Sequence, residues 1–409
     1  MCPLQEFVPC DEGFRSFYRN KTEFSIGRSC FDEKIVVGFN CGDASSGASS
    51  VERGQSPEDI PTLSRAAFEI GIICENYIRD SEIEIYNKDV RQGFWRNITI
   101  RQSDRTNEIL VNVIGRKRHF DETPEGGTPK TFDQEILKNF TDHFMAKYNG
   151  NEHLSKYNLT GLVFQNNEEL SDVVPINPDC YEQLHGTQSF YNETILGVQF
   201  EVSPSSFLQV NIDMCEKLYK VIDSFCQMAI PKELAPINSV DSALNIPGGY
   251  ILLDIFSGIG TIGLCLGKNA KKVIGIEINE KACQDALNNA KRNGITNYEV
   301  VVGKAEDKIG EVCKEYMSKG LPLIGVIDPP RAGIHPTVIN ALRCCKGLNE
   351  MVFVACDLNK SKENILKLCM PQSKKVKGPP FSPISCVGMD LFPHTPHYEA
   401  VLYMKRMYE

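Results

Sequence analysis

The chain lacks any apolar run near the roughly 20 residues that a helix needs to cross a bilayer, so no membrane partner is expected. Its first residues, Met-Cys-Pro-Leu-Gln-Glu, show neither a basic stretch ahead of an apolar one nor an Arg-rich amphipathic pattern. With no secretory signal to read, the sixteen cysteines are expected to be reduced thiols in an intracellular compartment. Cytoplasm and nucleus fit, and the mitochondrion stays open. Positive charge is also not in surplus: 44 Lys and Arg stand against 53 Asp and Glu, a net charge of −9. Phosphate contacts come from Lys and Arg, so the total does not announce a nucleic-acid binder. Local basic surface sets such a footprint, however, so the total excludes none. Internal repeats and long low-complexity segments are missing too. What is present is an ordinary globular composition, 42% hydrophobic and 24% charged, in 409 residues, enough for two or three domains.

One stretch organises the rest. From Ile251 an apolar run reaches Phe256, three glycines follow (Gly258, Gly260, Gly263), then helical spacing, then a second apolar run closing on Glu277. That is strand, tight turn, helix, strand, with a nucleotide-sized crevice at the carboxyl edge. The glycines also match G-x-G-x-x-G, so a dinucleotide site has to be weighed. Asp254 favours S-adenosylmethionine over NAD, because a carboxylate four residues before the first glycine would reach a cationic or hydroxyl-bearing ligand, whereas a pyrophosphate wants bare N–H groups. Glu277 is placed to accept from ribose hydroxyls, which either cofactor would want.

Residues 1–196 read as one α+β region. Tyr18 to Phe24 alternates as a strand whose polar side carries Arg19 and Lys21. A loop from Gly42 to Pro61, poor in apolar residues, is expected to cap nothing. Leu63 to Asp80 has helical spacing, and Phe94–Arg101 with Ile109–Ile114 read as neighbouring strands. A helix is expected near 133–148 and a strand over 160–166. The basic cluster Arg116–His119 reads equally as a solvated turn or an RNA contact. Residues 197–409 form the second region: a strand at 197–204, a helix over 212–228, and a polar linker at 238–247. Alternating elements then give strands at 251–256, 272–277, 298–302, 323–328, 351–355, 384–390 and 399–404. The last two lack an intervening helix and so form a hairpin. Seven strands ending in a hairpin is the methyltransferase variant of the α/β sheet.

Ligands in such sheets bind beyond the strands' carboxyl ends. Those ends carry Asp254 and Phe256, Glu277, Glu306-Asp307, Asp328-Pro329-Pro330-Arg331 and Cys356. Most other cysteines fall at helical or apolar positions, where an inert buried thiol is the default. Cys356 at a crevice rim is instead a plausible nucleophile. Together Asp328–Gly333, the strand ending in Cys356 and Phe392-Pro393-His394-Thr395-Pro396-His397-Tyr398-Glu399 resemble the TrmA/RumA-type RNA (uracil-5-)methyltransferases, the eukaryotic tRNA enzymes above all. Ser203-Pro204 with Phe207 and Gln209-Val210-Asn211, and Tyr18–Lys21, look like motifs of the same family. The likeness covers most of 1–30 and 195–405 and is loose between 40 and 190.

The resemblance implies a seven-stranded Rossmann-like S-adenosylmethionine methyltransferase domain (197–409) preceded by an α+β RNA-facing domain (1–196). It implies methylation of uridine C5, with the tRNA T-loop as target; a monomer is the expected form. C5 of uracil is a poor nucleophile until a thiolate adds to C6. The likeness assigns that thiolate to Cys356 and removal of the C5 proton to Glu399. Gln209, Phe256, Gly258, Thr261, Glu277 and Asp328 would contact the cofactor; Thr261 stands where bacterial relatives carry Asn. Arg19, Lys21 and Arg331 would meet RNA, Arg331 with Asp328 also holding the base edge and the loop, and the target base would leave its stack. No metal or iron–sulfur cluster is expected: Cys2, Cys10, Cys30 and Cys41 are too evenly scattered for the cluster motif of the rRNA-directed branch. An oligonucleotide-binding barrel is absent, and the chain begins after the point where the animal enzymes' RNA-recognition domain would end.

The family usually reads Ser-Cys-Asn-Pro at the nucleophile, whereas this chain has Ala355-Cys356-Asp357-Leu358. A carboxylate beside the thiol raises its pKa unless it points away. That keeps a second reading in play, a tRNA-binding or tRNA-folding protein with the same fold and impaired turnover. An adenine- or guanine-N methyltransferase would want an aromatic residue where Arg331 stands. An NAD-dependent dehydrogenase would leave Asp254 and the Cys356/Glu399 pair unexplained.

Overall fold

The computed structural model describes residues 3–41, 50–117, 129–169, 181–229, 249–317, 321–330 and 333–408. They fall into two compact units: Gly13–Glu193 with Glu201–Ser205, and Met1–Glu12 with Thr194–Phe200 and Ser206–Glu409.

In the first, β1 (Lys21–Arg28), β2 (Ile35–Cys41), β3 (Ser50–Glu52), β4 (Trp95–Ser103), β5 (Glu108–Gly115), β6 (Asn158–Asn166) and β7 (Tyr181–Gly186) form one sheet, ordered β3-β2-β1-β4-β5-β6-β7. Only the β5–β6 pair in it is parallel. Period-2 alternation turns Phe24, Ile26, Ile98, Ile100, Val111 and Val113 to one face. There they bury against α1 (Arg65–Asp80) and α2 (Pro129–Asn149) through Ile70, Cys74, Ile78, Phe140 and Phe144. Ser64 starts α1 by accepting from the Ala67 N–H. The segment expected to cap nothing does contribute: Val51 is buried on β3, because its side chain fills the space over Gly27. Beside it the Arg53 guanidinium, itself buried, pairs with Glu75 at 2.6 Å. β7 was not legible, since Tyr-Glu-Gln-Leu-His-Gly has no apolar run. Farther on, β8 (Tyr191–Ile195) and β9 (Val198–Val202) make a two-stranded sheet.

The second unit is a doubly wound sheet. Its strands are β10 (Ile251–Ile255), β11 (Lys272–Glu277), β12 (Tyr298–Val302), β13 (Leu323–Ile327), β14 (Leu348–Ala355), β15 (Phe381–Met389) and β16 (Glu399–Arg406), ordered β12-β11-β10-β13-β14-β16-β15. Five run parallel, while β16 is antiparallel to both β14 and β15. The expected C-terminal hairpin is therefore present. Order reverses between β10 and β13, which opens the crevice there. Helices α3 (Ile212–Met228), α4 (Thr261–Leu266), α5 (Glu280–Arg292), α6 (Ala305–Met317), α7 (Pro336–Cys344) and α8 (Leu358–Cys369) belong to the same unit. α3 and α5 carry Asn caps, Asn211 and Asn279, each accepting an N–H three residues on. Not every thiol is free, against expectation. Cys313 of α6 and Cys345 after α7 form a disulfide with Cα atoms 6.3 Å apart, because the two helices pack side by side.

The chain's beginning also belongs here. Leu4 and Val8 bridge in parallel to Cys386 and Met389 of β15, with Gln5 and Val8 N–H groups donating to the Cys386 and Gly388 carbonyls at 2.8 Å. At the far end of the hairpin, Arg406 stacks on Phe381 and donates to the carbonyls of Leu342, Arg343, Cys345 and Leu348 at 2.6–2.9 Å. Buried carbonyls left without a donor are costly, so Arg406→Met is expected to lower stability by roughly 2–4 kcal/mol. The check is a fall in the urea midpoint at an unchanged m-value.

Candidate active site

β10 ends in a turn that its neighbours hold from two sides. Asp254, on the last turn of the strand's pleat, is buried, and its Oδ2 accepts the Gly263 N–H at 2.9 Å. Glu277, at the end of β11, accepts the Gly258 N–H at 3.0 Å with Oε2 and the Asn279 N–H at 2.9 Å with Oε1. Between them Phe256 sits at φ +66°, a conformation costly for a non-glycine residue. Gly263 is obligatory for packing: a Cβ there would lie 2.8 Å from Asp254 Oδ2 and 2.9 Å from Val273 Cγ1. Gly258 is the opposite case. A Cβ there would meet nothing within 4 Å, so its backbone borders open space. The Thr261 Oγ1 accepts from the Tyr219 hydroxyl at 2.9 Å, which fastens α4 to α3.

Asp254 therefore differs from its expected role. It faces inward to a backbone N–H and braces the turn, because a short carboxylate on a buried strand position reaches the helix before it reaches the crevice. Burial raises its pKa to about 7, against the Gly263 hydrogen bond, with the negative charges of Asp328 and Glu277 adding. Asp328, following β13, is likewise pushed up by burial to about 6. Phe256, Gly258, Thr261, Glu277 and Asp328 all gather at the carboxyl edge of β10, β11 and β13. Such an edge fits a cofactor with hydroxyls and a cationic centre, since open backbone at Gly258 adjoins the Glu277 and Asp328 carboxylates.

Cys356 leaves the end of β14, and Glu399 opens β16. Their ladder pairs Ala355 with Ala400, so the register carried one residue further sets Cys356 opposite Glu399. Opposed residues of an antiparallel pair share a face, with Cβ atoms about 4.5–5.5 Å apart. Cys356 is half-buried and Glu399 buried. The neighbouring carboxylate is committed elsewhere. Asp357 is the N-cap of α8, its Oδ1 accepting from Asn359 and Lys360 N–H at 3.0 and 3.1 Å, with Lys360 Nζ 3.7 Å from its Oδ2. The Lys360 and Asn359 amides, with the charges of Lys360 and His397, hold its carboxyl below the usual range. An Asp placed just before a helical stretch is a sequence-level cap signal that went unused.

Other expected residues lie apart or unseen. Gln209 is buried two residues before the α3 cap. Lys21 opens β1 in the other unit, paired with Glu23 at 2.7 Å, its pKa lowered by burial and by Arg101. Arg19 precedes that strand instead of lying on it. Arg331 lies outside the described residues, as do His119 and the rest of the basic cluster beyond Lys117. Of that cluster, Arg116 is buried and Lys117 pairs with Glu182 at 3.0 Å. A cavity of about 1050 Å³ is lined by residues of the first unit, Arg28, Ile78, Tyr86 and Arg96 among them, and by none of the crevice residues.

A seven-stranded sheet of this order with acidic strand ends and a glycine turn is the architecture of S-adenosylmethionine-dependent methyltransferases. The fold matches that of Pyrococcus abyssi tRNA (uracil-54, C5)-methyltransferase, solved in complex with S-adenosyl-L-homocysteine, at a TM-score of 0.63 and 22% identity, over 98% of this chain and 78% of that one. The family model tRNA (Uracil-5-)-methyltransferase matches residues 208–407. tRNA (uracil-5-)-methyltransferase homolog B of Pongo abelii is 31% identical, over 95% of this chain and 73% of that protein. Homolog A of Mus musculus is 30% identical over 99% of this chain, which spans 60% of the mouse protein's length. The chain belongs to the tRNA (uracil-5-)-methyltransferase family.

Asp254 gives a prediction with a sign. A carboxyl whose folded pKa is raised from 3.8 to about 7 favours the fold below the lower value and loses that contribution as pH climbs through the higher one. Stability should therefore fall between those values, by at most about 1.4 kcal/mol per pH unit from this group. Asp254→Asn, which can still accept the Gly263 N–H, should flatten that part of a denaturation-midpoint profile measured from pH 4 to pH 8.

Proposed function

We propose that this protein methylates uridine C5 in RNA, the tRNA T-loop uridine first among targets, using S-adenosylmethionine and a covalent cysteine adduct. The observation that carries this reading is the β14–β16 register, which supports a thiol and a carboxylate acting on one ring at the sheet's carboxyl edge. Bound S-adenosylmethionine would supply an electrophilic methyl group on a sulfonium. Phe256, Gly258, Thr261, Glu277 and Asp328, with Gln209, are the residues to hold it.

The chain's own groups perform the rest. Cys356 as thiolate adds to uracil C6, and the electron pair moves through C5 toward O4 as an enolate. C5, made nucleophilic in this way, would take the methyl carbon as the methyl–sulfur bond breaks and its electron pair stays on sulfur, so that the cofactor would leave as a neutral thioether. Glu399 as carboxylate takes the C5 proton, the C6–S bond breaks, and the thiolate is returned. Asp357 does not oppose the first step strongly, since its charge is spent on the α8 amides and Lys360. That weighs against the impaired-binder reading. Arg19, Lys21 and Arg331 are the proposed RNA contacts, residues 1–196 the proposed RNA-binding domain and 197–409 the catalytic one; an intracellular monomer is the expected form.

Fluorine cannot leave C5 as a proton, so a T-arm stem-loop RNA with 5-fluorouridine at the target should stall as a Cys356–RNA conjugate. A denaturant-stable mass shift is expected with wild type and Asp357→Asn, and none with Cys356→Ala. RNA bound tightly by the wild type without any adduct would establish the binding-protein reading instead.

A further inference from the structure

Two aromatic rings stand exposed where the chain's start meets the C-terminal hairpin. Phe7 is 49% exposed and Tyr398 is 40% exposed. Their centroids are 6.4 Å apart with planes inclined at 67°. Neither ring is loose. The Phe7 ring covers Gly388, where a Cβ would lie 2.7 Å from its Cδ2. The segment carrying it is tied to β15 by backbone bonds from Gln5 and Val8, by Cys386 N–H donating to the Pro3 carbonyl at 3.1 Å, and by Gln5 Nε2 donating to Ser385 Oγ at 2.6 Å. Tyr398 is fixed by sequence: it immediately precedes Glu399, the first residue of β16.

Together the two rings present one exposed aromatic surface held in place, and its position indicates what it would meet. Phe7 lies over Gly388, whose ladder partner Ala400 faces away from its neighbour Glu399, so Tyr398, set against Phe7, stands on the side opposite Glu399. A ring there cannot stack on the base that Cys356 attacks. It stands at the same edge of the sheet, one step along, where the next nucleotide of an unstacked strand would run. Flipping one base strips its neighbour of a stacking partner, and an aromatic side chain replaces that contact without reading sequence.

We infer that Phe7 and Tyr398 form a stacking platform for the nucleobase adjacent to the target uridine in single-stranded loop RNA. This rests on the proposed uridine methylation. Tyr398 supplies the π face, and Phe7 braces it edge-on and widens the platform. Both are binding residues and take no part in proton or group transfer.

The test uses the full chain and a T-arm stem-loop carrying 5-fluorouridine at the target and 2-aminopurine beside it. Stacking quenches 2-aminopurine fluorescence, so contact is read directly. Adduct formation against RNA concentration separates half-saturation from maximal rate. Tyr398→Phe should match the wild type. Tyr398→Leu keeps apolar bulk without a π face; it should lose the quench and raise half-saturating RNA about fivefold, the low end of one base–aromatic stack, at an unchanged maximal rate. Phe7→Leu still covers Gly388 and should weaken both signals less. Tyr398→Leu with the quench and half-saturation of the wild type would overturn the platform. A wild type that quenches but never forms the adduct would overturn the methylation reading and leave the platform standing.

Discussion

Hydrogen bonds between β14 and β16 run antiparallel at the flank of an otherwise parallel sheet, and the chemistry of the candidate site hangs on their register. Ala355 against Ala400 is an unremarkable pair of small buried residues, yet the next position on each strand is a thiol and a carboxylate. A slip of one residue would send the two side chains to opposite faces. Small residues at this pair suit the role, because they let the strands approach closely just before each leaves the ladder. Arg406, at the other end of β16, gathers the carbonyls of α7's last turn and of β14's start, and so locks the same register from below.

The glycine turn shows the complementary constraint. Its backbone N–H groups are held by carboxylates on two adjacent strands, so the turn is braced before any ligand arrives. Burying these strand-end carboxylates has an electrostatic cost, visible in the raised carboxyl pKa values of Asp254 and Asp328, with the charges of Asp328 and Glu277 adding to it at Asp254. Bracing the turn and desolvating the group that braces it are thus two views of one arrangement.

Much of this was legible in the residues, for identifiable reasons. Buried parallel strands are continuous apolar runs, and those of the second unit stand within a few residues of their expected limits. Gly258 and Glu277 were readable because tight turns and strand ends demand particular residue types. Asp254 was misread for a geometric reason: whether a strand-end carboxylate faces helix or crevice depends on side-chain direction, which spacing does not encode. β3 and β7 escaped because each is short, polar or both, and takes its stability from pairing with a sheet already formed. Phe7 had no signal at all. Its significance comes only from Gly388 and Tyr398, residues at the other end of the chain.

That last contact has a consequence for folding during synthesis. The segment around Phe7 is made before its partner strand β15, from which 380 residues separate Gln5 and Ser385. A nascent chain that stops short of β15 leaves that segment undocked. It must wait while the intervening unit folds, and then return across that distance to cover β15. Loop closure of that length adds little extra entropy over a shorter one, so the return is cheap in equilibrium terms. Its timing is what is constrained: once β15 is made, its outer edge stays open until that return, and an open strand edge is the part of a sheet most prone to pairing with the wrong neighbour.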